Sequence, residues 1–489
     1  MIRETAEALE QLSYDERIET FIALAQEYGE DFGQLEYLII DEIQDLVGVR
    51  ARMIKTILEH LQCGFLLLGD KCQSIYDYLL DPNSNELSSA QFYAWLESRF
   101  GAELQGYELT ENKRQLAHLI SLAGNFRQAI LTNNEIRIKQ SLQQCTSSLE
   151  TVTWSELSGF LRMNSNYKYA ILCQTNARAA TMAQKLYADE IPHTVALGSQ
   201  RVLLVPWIGK VFADYTERLM GRNQFIDKAN KIGLDAIDKK WELLKTLEGQ
   251  DNEVVLDAAA LKTALFRGYN IPQELDLAVQ AGGVVISTIY RAKGKEYDGV
   301  IWVQERRREF EPKVAYVAVT RPKRSLYKLP IPYPFYVKNL SSNRTIQLRW
   351  PRGGGRQYCA AFLLGFENDL EPTSFVAGSP EEASIRQTYI KEQVKTGDVV
   401  TLVRRDQQFY VFHDGMEIGR LSPRALADLK EAMRVTNGSP LPLALGRGYV
   451  RSVVTIVHPG YNGEVPQPYA ASGFWLGIEL GGMAKTEWQ

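Results

Sequence analysis

The chain has 489 residues, a mass of 55.4 kDa and a net charge of −4. Its 45% hydrophobic and 23% charged residues suit about three globular domains and exclude a disordered chain. Five cysteines and five histidines without CxxC or HExxH spacing argue against a disulfide scaffold, a structural zinc site and a metalloprotease. No apolar run reaches the roughly 18–20 residues of a membrane span, and the MIRETAEALEQ start is polar, so a cytoplasmic protein without membrane contact is expected.

Charge is unevenly spread. Residues 1–110 carry 7 Lys+Arg against 21 Asp+Glu, while 111–340 carry 32 against 23. The basic middle third could attract a polyanion, or be an ordinary solvated surface.

In chain order, short apolar strands alternate with helical stretches, the grammar of an α/β protein. Tyr37-Leu38-Ile39-Ile40 reads as a strand ending in Asp41-Glu42, and a helix is predicted from about Arg50 to Leu61. Phe65-Leu66-Leu67-Leu68 is a second strand, ending in Gly69-Asp70. Later buried strands are predicted from Tyr169 to Cys173, Val284 to Thr288 and Val300 to Val303, with a further one at Tyr316-Val317-Ala318-Val319 before Arg321. Residues 201–280 read as mostly helical, with Trp207, Phe212, Tyr215 and Leu219 near helical spacing. Beyond the prolines at 330, 332 and 334 and the loop Arg352-Gly353-Gly354-Gly355-Arg356, alternating segments predict a β-rich region of one or two small barrels. Thr396-Gly397-Asp398-Val399-Val400 reads there as a turn feeding a strand.

Polar residues directly after parallel strands lie where α/β sheets bind ligands. One carboxylate of Asp41-Glu42-Ile43-Gln44-Asp45 can hold Mg²⁺ while another activates water, although the same cluster could simply cap a helix. Four more segments follow in order: Gly69-Asp70-Lys71-Cys72-Gln73-Ser74-Ile75-Tyr76, Asn112-Lys113-Arg114, Thr288-Ile289-Tyr290-Arg291-Ala292-Lys293-Gly294-Lys295-Glu296, and Tyr316-Val317-Ala318-Val319-Thr320-Arg321.

This ordered set resembles motifs II to VI of the UvrD/Rep-like superfamily 1 DNA helicases over roughly residues 1–330. The resemblance implies two RecA-like parallel-sheet domains, the first incomplete, that use ATP and Mg²⁺ on single-stranded DNA. Asp41 would hold the metal, Glu42 would activate water, and Gln73 would sense the γ-phosphate. Arg114 and Arg321 would act as arginine fingers. Glu296 and Gly294 fall at nucleotide-binding positions, and Thr288 and Tyr290 where the family touches DNA. Tyr76 and Tyr78 would stack on bases or else pack beneath the domain. Lys113, Lys293, Lys323 and Arg324 are expected to be solvated or phosphate-contacting, and Arg306-Arg307-Arg308 a solvated face.

Departures matter equally. No GxxxxGK[ST] loop occurs, and only 40 residues precede Asp41. Lys113 replaces the adenine-stacking aromatic, Tyr290 the motif V histidine and Lys295 its leucine. The implied layout is a partial first RecA-like domain over 1–108 with an unpaired sheet edge, and a second over 109–200 and 281–330. A helical insertion over 201–280 and a β-rich region over 340–489 complete it. The chain is then a helicase module that works with a P-loop-containing partner chain, an ATPase-inactive DNA-binding or scaffolding subunit, or a passive core serving the C-terminal region.

Overall fold

The computed structural model describes residues 14–27, 35–61, 63–81, 86–196, 202–250, 252–268, 270–277, 283–305, 311–332, 337–339, 344–352, 355–366, 368–433, 441–458 and 465–488. Residues 306–308, expected to be a solvated face, lie outside these. The chain divides into two compact units: 1–149 with 293–296 and 307–326, and 150–292 with 297–306 and 327–489.

In the first unit, strands β1 (Tyr37–Ile40) and β2 (Gly64–Leu67) pair in parallel, joined by the helix Gly48–His60. One face carries Leu38, Ile40, Phe65 and Leu67 onto a core of Ile43, Ala51, Ile54, Leu58, Phe92 and Leu96. The other is open: Tyr37, Ile39 and Leu66 are 57%, 63% and 41% exposed. Parallel strands are ordinarily covered on both faces, so this bare apolar face is unusual.

The predicted strand at Tyr316–Val319 is instead part of a helix, Pro312–Thr320. Pro312 opens it, and the Glu311 carboxylate accepts the amides of Lys313 and Val314 at 3.1 and 3.0 Å. Every residue from Val314 to Thr320 is buried, so no apolar stripe betrays the helical period.

The second unit holds two large sheets and a smaller ribbon. Its strands are β3 (Glu150–Thr151), β4 (Tyr169–Cys173), β5 (His193–Ala196), β6 (Leu219–Gly221), β7 (Val255–Asp257), β8 (Val284–Thr288), β9 (Tyr297–Gln304) and β10 (Pro322–Pro330), which enters from the first unit. Six order as β3-β10-β9-β4-β8-β5, with parallel pairing at β3–β10, β9–β4, β4–β8 and β8–β5. Central β4 is buried along its whole length. The segment 202–277 forms four helices around the antiparallel pair β6–β7 and a core containing Trp241, Phe212 and Phe225. The helix Pro206–Phe212 stops short of Leu219, which lies on β6, so the 207–219 spacing is not one helix.

Eight further strands form one antiparallel sheet, in linear order, rather than the expected one or two small barrels. They are β11 (Val337–Asn339), β12 (Thr345–Arg352), β13 (Gly355–Leu364), β14 (Val399–Arg405), β15 (Gln408–His413), β16 (Met416–Arg420), β17 (Ala444–Val457) and β18 (Phe474–Glu487), ordered β11-β12-β13-β18-β17-β14-β15-β16. The 14-residue strands β17 and β18 form its spine. Gly397, at φ +99°, turns the chain into β14.

Candidate functional site

The first unit's polar residues converge at the carboxyl ends of β1 and β2. Asp41 Oδ1 accepts the Glu42 amide at 2.8 Å, and Glu42 adopts φ +56° as the chain enters the short turn Ile43–Asp45. Buried Gln44 donates from Nε2 to Glu42 Oε2 and accepts the Asp70 amide at Oε1, 2.9 Å away. Gly69 makes this approach feasible, because a Cβ there would lie 2.7 Å from Gln44 Oε1.

Asp70 caps the turn Lys71–Gln73, accepting the Cys72 amide at 3.1 Å and Gln73 Nε2 at 3.0 Å. Arg127 pairs with the same carboxylate and approaches Glu108 at 3.6 Å. Burial opposes the Arg127 charge, but Asp70 outweighs it and the guanidinium pKa rises. Burial, followed by the charges of Asp70, Asp45 and Glu42, pushes the neighbouring Tyr93 hydroxyl up to about 12.

Arg321 is only 2% exposed. Its Nη2 donates to Gln73 Oε1 at 3.0 Å, its Nε to Val317 O at 3.1 Å and its Nη1 to Lys295 O at 3.3 Å. Glu296 sits between Arg114 Nε, at 2.5 Å, and Lys323 Nζ, at 2.9 Å. The Lys323 hydrogen bond and then the Arg114 charge hold its pKa below the usual carboxylate value despite partial burial. Lys293, expected to be solvated or phosphate-contacting, has a nearly buried side chain: it pairs with Asp45, donates to Gln73 O at 2.7 Å and lies 5.2 Å from the Tyr76 ring centroid. Burial nevertheless raises the Asp45 pKa, with Lys293 only partly opposing it. Lys113 is exposed and paired with Glu111 at 3.3 Å.

A cleft of about 1210 Å³ gathers Asp41, Glu42, Asp70, Gln73, Arg114 and Glu296. Arg321 reaches this group through Gln73, whereas Tyr76, Tyr78 and Gly294 lie outside its lining. Tyr78 is 60% exposed beside Tyr76, with the ring centroids 6.4 Å apart. Buried Thr288 and half-buried Tyr290 belong to the second unit. Sequence reading assigned no role to Gln44 or Arg127 and missed the contacts of Lys293. Their partners are as far as 220 and 248 residues away, beyond any local periodicity.

These features define a mixed α/β protein with a carboxylate- and arginine-lined cleft at strand ends. Residues 4–93 match the family model described as the UvrD/REP helicase N-terminal domain. The match supports a UvrD-like helicase family for the segment bearing Asp41, Glu42, Gln73, Tyr76 and Tyr78. No curated protein matches the chain. Among the described residues, no helix is long and apolar enough to cross a membrane.

Proposed function

We propose that this chain is the hydrolytic module of a UvrD-like, ATP-dependent DNA translocase and acts when a P-loop supplies the missing phosphate cradle. The observation that carries this reading is the convergence of Asp41, Glu42, Gln73, Arg114 and Glu296 on one cleft, with Arg321 bonded to Gln73. Among the described residues, no group of three His, Cys, Asp or Glu is placed to cage a metal. Exposed Asp41 instead suits Mg²⁺, which takes one or two carboxylates and completes its shell with water and phosphate. Bound there, Mg²⁺ would neutralise phosphate charge.

Glu42, fixed by Gln44, is the group to align and deprotonate the attacking water. Gln73 links the γ-phosphate position to Arg321, and Arg114 and Arg321 oppose charge growing on the transferred group. To reach phosphate, Arg114 must exchange its bond to Glu296 and Arg321 its bond to Gln73, so nucleotide binding would rewire the cleft. Exposed Tyr78 supplies an aromatic face for unpaired bases.

The test uses the chain mixed with a P-loop-bearing partner. Glu42→Gln and Arg321→Ala should each depress kcat while single-stranded DNA affinity stays within about threefold. An arginine finger is worth about 10³–10⁵ in rate, so the loss would be plain. Wild-type turnover in either variant would remove that residue from the mechanism.

A further inference from the structure

Asp70 is the point where two arms of the cleft meet. Its backbone amide donates to Gln44 Oε1 at 2.9 Å, and Gln44 in turn holds Glu42. Its carboxylate accepts Gln73 Nε2 at 3.0 Å, and Gln73 Oε1 accepts Arg321 Nη2 at 3.0 Å.

The carboxylate contact fixes orientation as well as distance. A primary amide has a donor end and an acceptor end of nearly the same shape. Turning the Gln73 amide by 180° would point Nε2 at the Arg321 guanidinium, donor against donor. Asp70 prevents this, because an ionised carboxylate accepts and cannot donate. It takes Nε2, and Oε1 is left to Arg321. This arrangement requires Asp70 to stay charged and in place.

Arg127 meets that requirement. It lies on the helix Ala117–Leu131 beside fully buried Phe126, whose ring packs edge-on against Tyr316 with centroids 6.3 Å apart. From this anchored helix its guanidinium spans two carboxylates, Asp70 at Nη1 and Glu108 at 3.6 Å from Nη2. The Arg127 and Asp70 side chains are 29% and 23% exposed, so the pair is more shielded from water than an ordinary surface ion pair. Arg127 lies outside the motif segments read from the sequence.

We infer that Arg127 is a positioning residue for hydrolysis, holding Asp70 so that the Gln73 amide, and through it the Arg321 guanidinium, keeps its orientation. The series Arg127–Asp70–Gln73–Arg321 stands on geometry; its bearing on hydrolysis rests on the ATP-dependent reading above.

The test begins with a mutant cycle on the full chain without nucleotide. It is read by hydrogen exchange at the amides of Asp70, Cys72 and Gln73, which Gln44 and Asp70 hold. Arg321→Gln should speed this exchange, and its effect should shrink by about threefold or more in an Arg127→Gln background, because effects within one network do not add. Asp70→Asn, which keeps the shape but loses the charge, should shrink the Arg321→Gln effect equally. Arg127→Lys should preserve most of it. In a Gln73→Met background the coupling between positions 127 and 321 should vanish. Additive effects, or coupling that survives Gln73→Met, would overturn the proposal.

With a P-loop-bearing partner, Arg127→Gln should lower kcat by about 10–100-fold while KM for ATP stays within about threefold, since a small misplacement can cost about 10² in rate. Arg127→Lys should recover most of the loss, and Arg127→Gln should add nothing to Gln73→Met. A raised KM at unchanged kcat would overturn the positioning role. Coupling without wild-type turnover, with a partner shown to bind, would keep the series and reject the ATP reading. Turnover without coupling would do the reverse.

Discussion

Two residues, Glu296 in the cleft wall and Lys293 bonded to Gln73 of that wall, carry consequences that thermodynamics can measure. Lys293 is nearly buried and bridges Asp45 and the Gln73 carbonyl, so Lys293→Met keeps the stem while stranding a half-buried carboxylate. Charged hydrogen bonds of this kind are worth about 1.5–3 kcal/mol, and a loss of that size should appear as a lower urea midpoint with unchanged slope. Glu296 predicts a pH dependence. Its folded pKa is depressed below the ordinary 4.5, so its contribution is fully present above that value and fades as pH falls through the lower folded pKa. The urea-midpoint gap between wild type and Glu296→Gln should therefore narrow steadily below about pH 4.5. A constant gap would mean that Arg114 and Lys323 do not favour the charged form.

At the level of elements, the strands were the readable part. Tyr37–Ile40, Tyr169–Cys173 and Val284–Thr288 were visible as short apolar runs bounded by polar residues. The helix Pro312–Thr320 was not, because burial on every side removes amphipathicity and leaves a β-branched run that resembles a strand. The structure shows what opens it: Pro312 at the first helical position and the Glu311 cap before it. Glu311→Ala removes the acceptor for two helix-end amides and should cost about 0.5–2 kcal/mol in chemical unfolding. The cleft shows the same division. Strand-end carboxylates were legible from position, whereas Gln44 and Arg127 act through contacts that only folding creates. The C-terminal strands alternated clearly, but their joining into one eight-stranded sheet rests on the long pairing of β17 with β18, which local pattern does not specify.

For the whole molecule, charge is segregated along the chain. The strongly acidic first 110 residues contrast with 32 cations against 23 acids over 111–340. Single-stranded DNA should bind better than duplex, since base stacking adds about 1–3 kcal/mol per base and needs unpaired bases. Its affinity should fall with salt at a log–log slope near −0.7 per phosphate contacted. Titration of a labelled oligonucleotide at two salt concentrations checks both; equal affinity for duplex or salt-independent binding would remove the DNA assignment. The central claim is that this chain holds the hydrolytic groups but not the phosphate cradle. It is tested most directly by measuring ATP turnover with saturating single-stranded DNA, with and without an added P-loop partner. The account predicts negligible turnover alone and, with the partner, a rate in the ordinary enzyme range above about 1 s⁻¹. Turnover of about 1 s⁻¹ or more by the chain alone, or none with a partner shown to bind it, would contradict the claim.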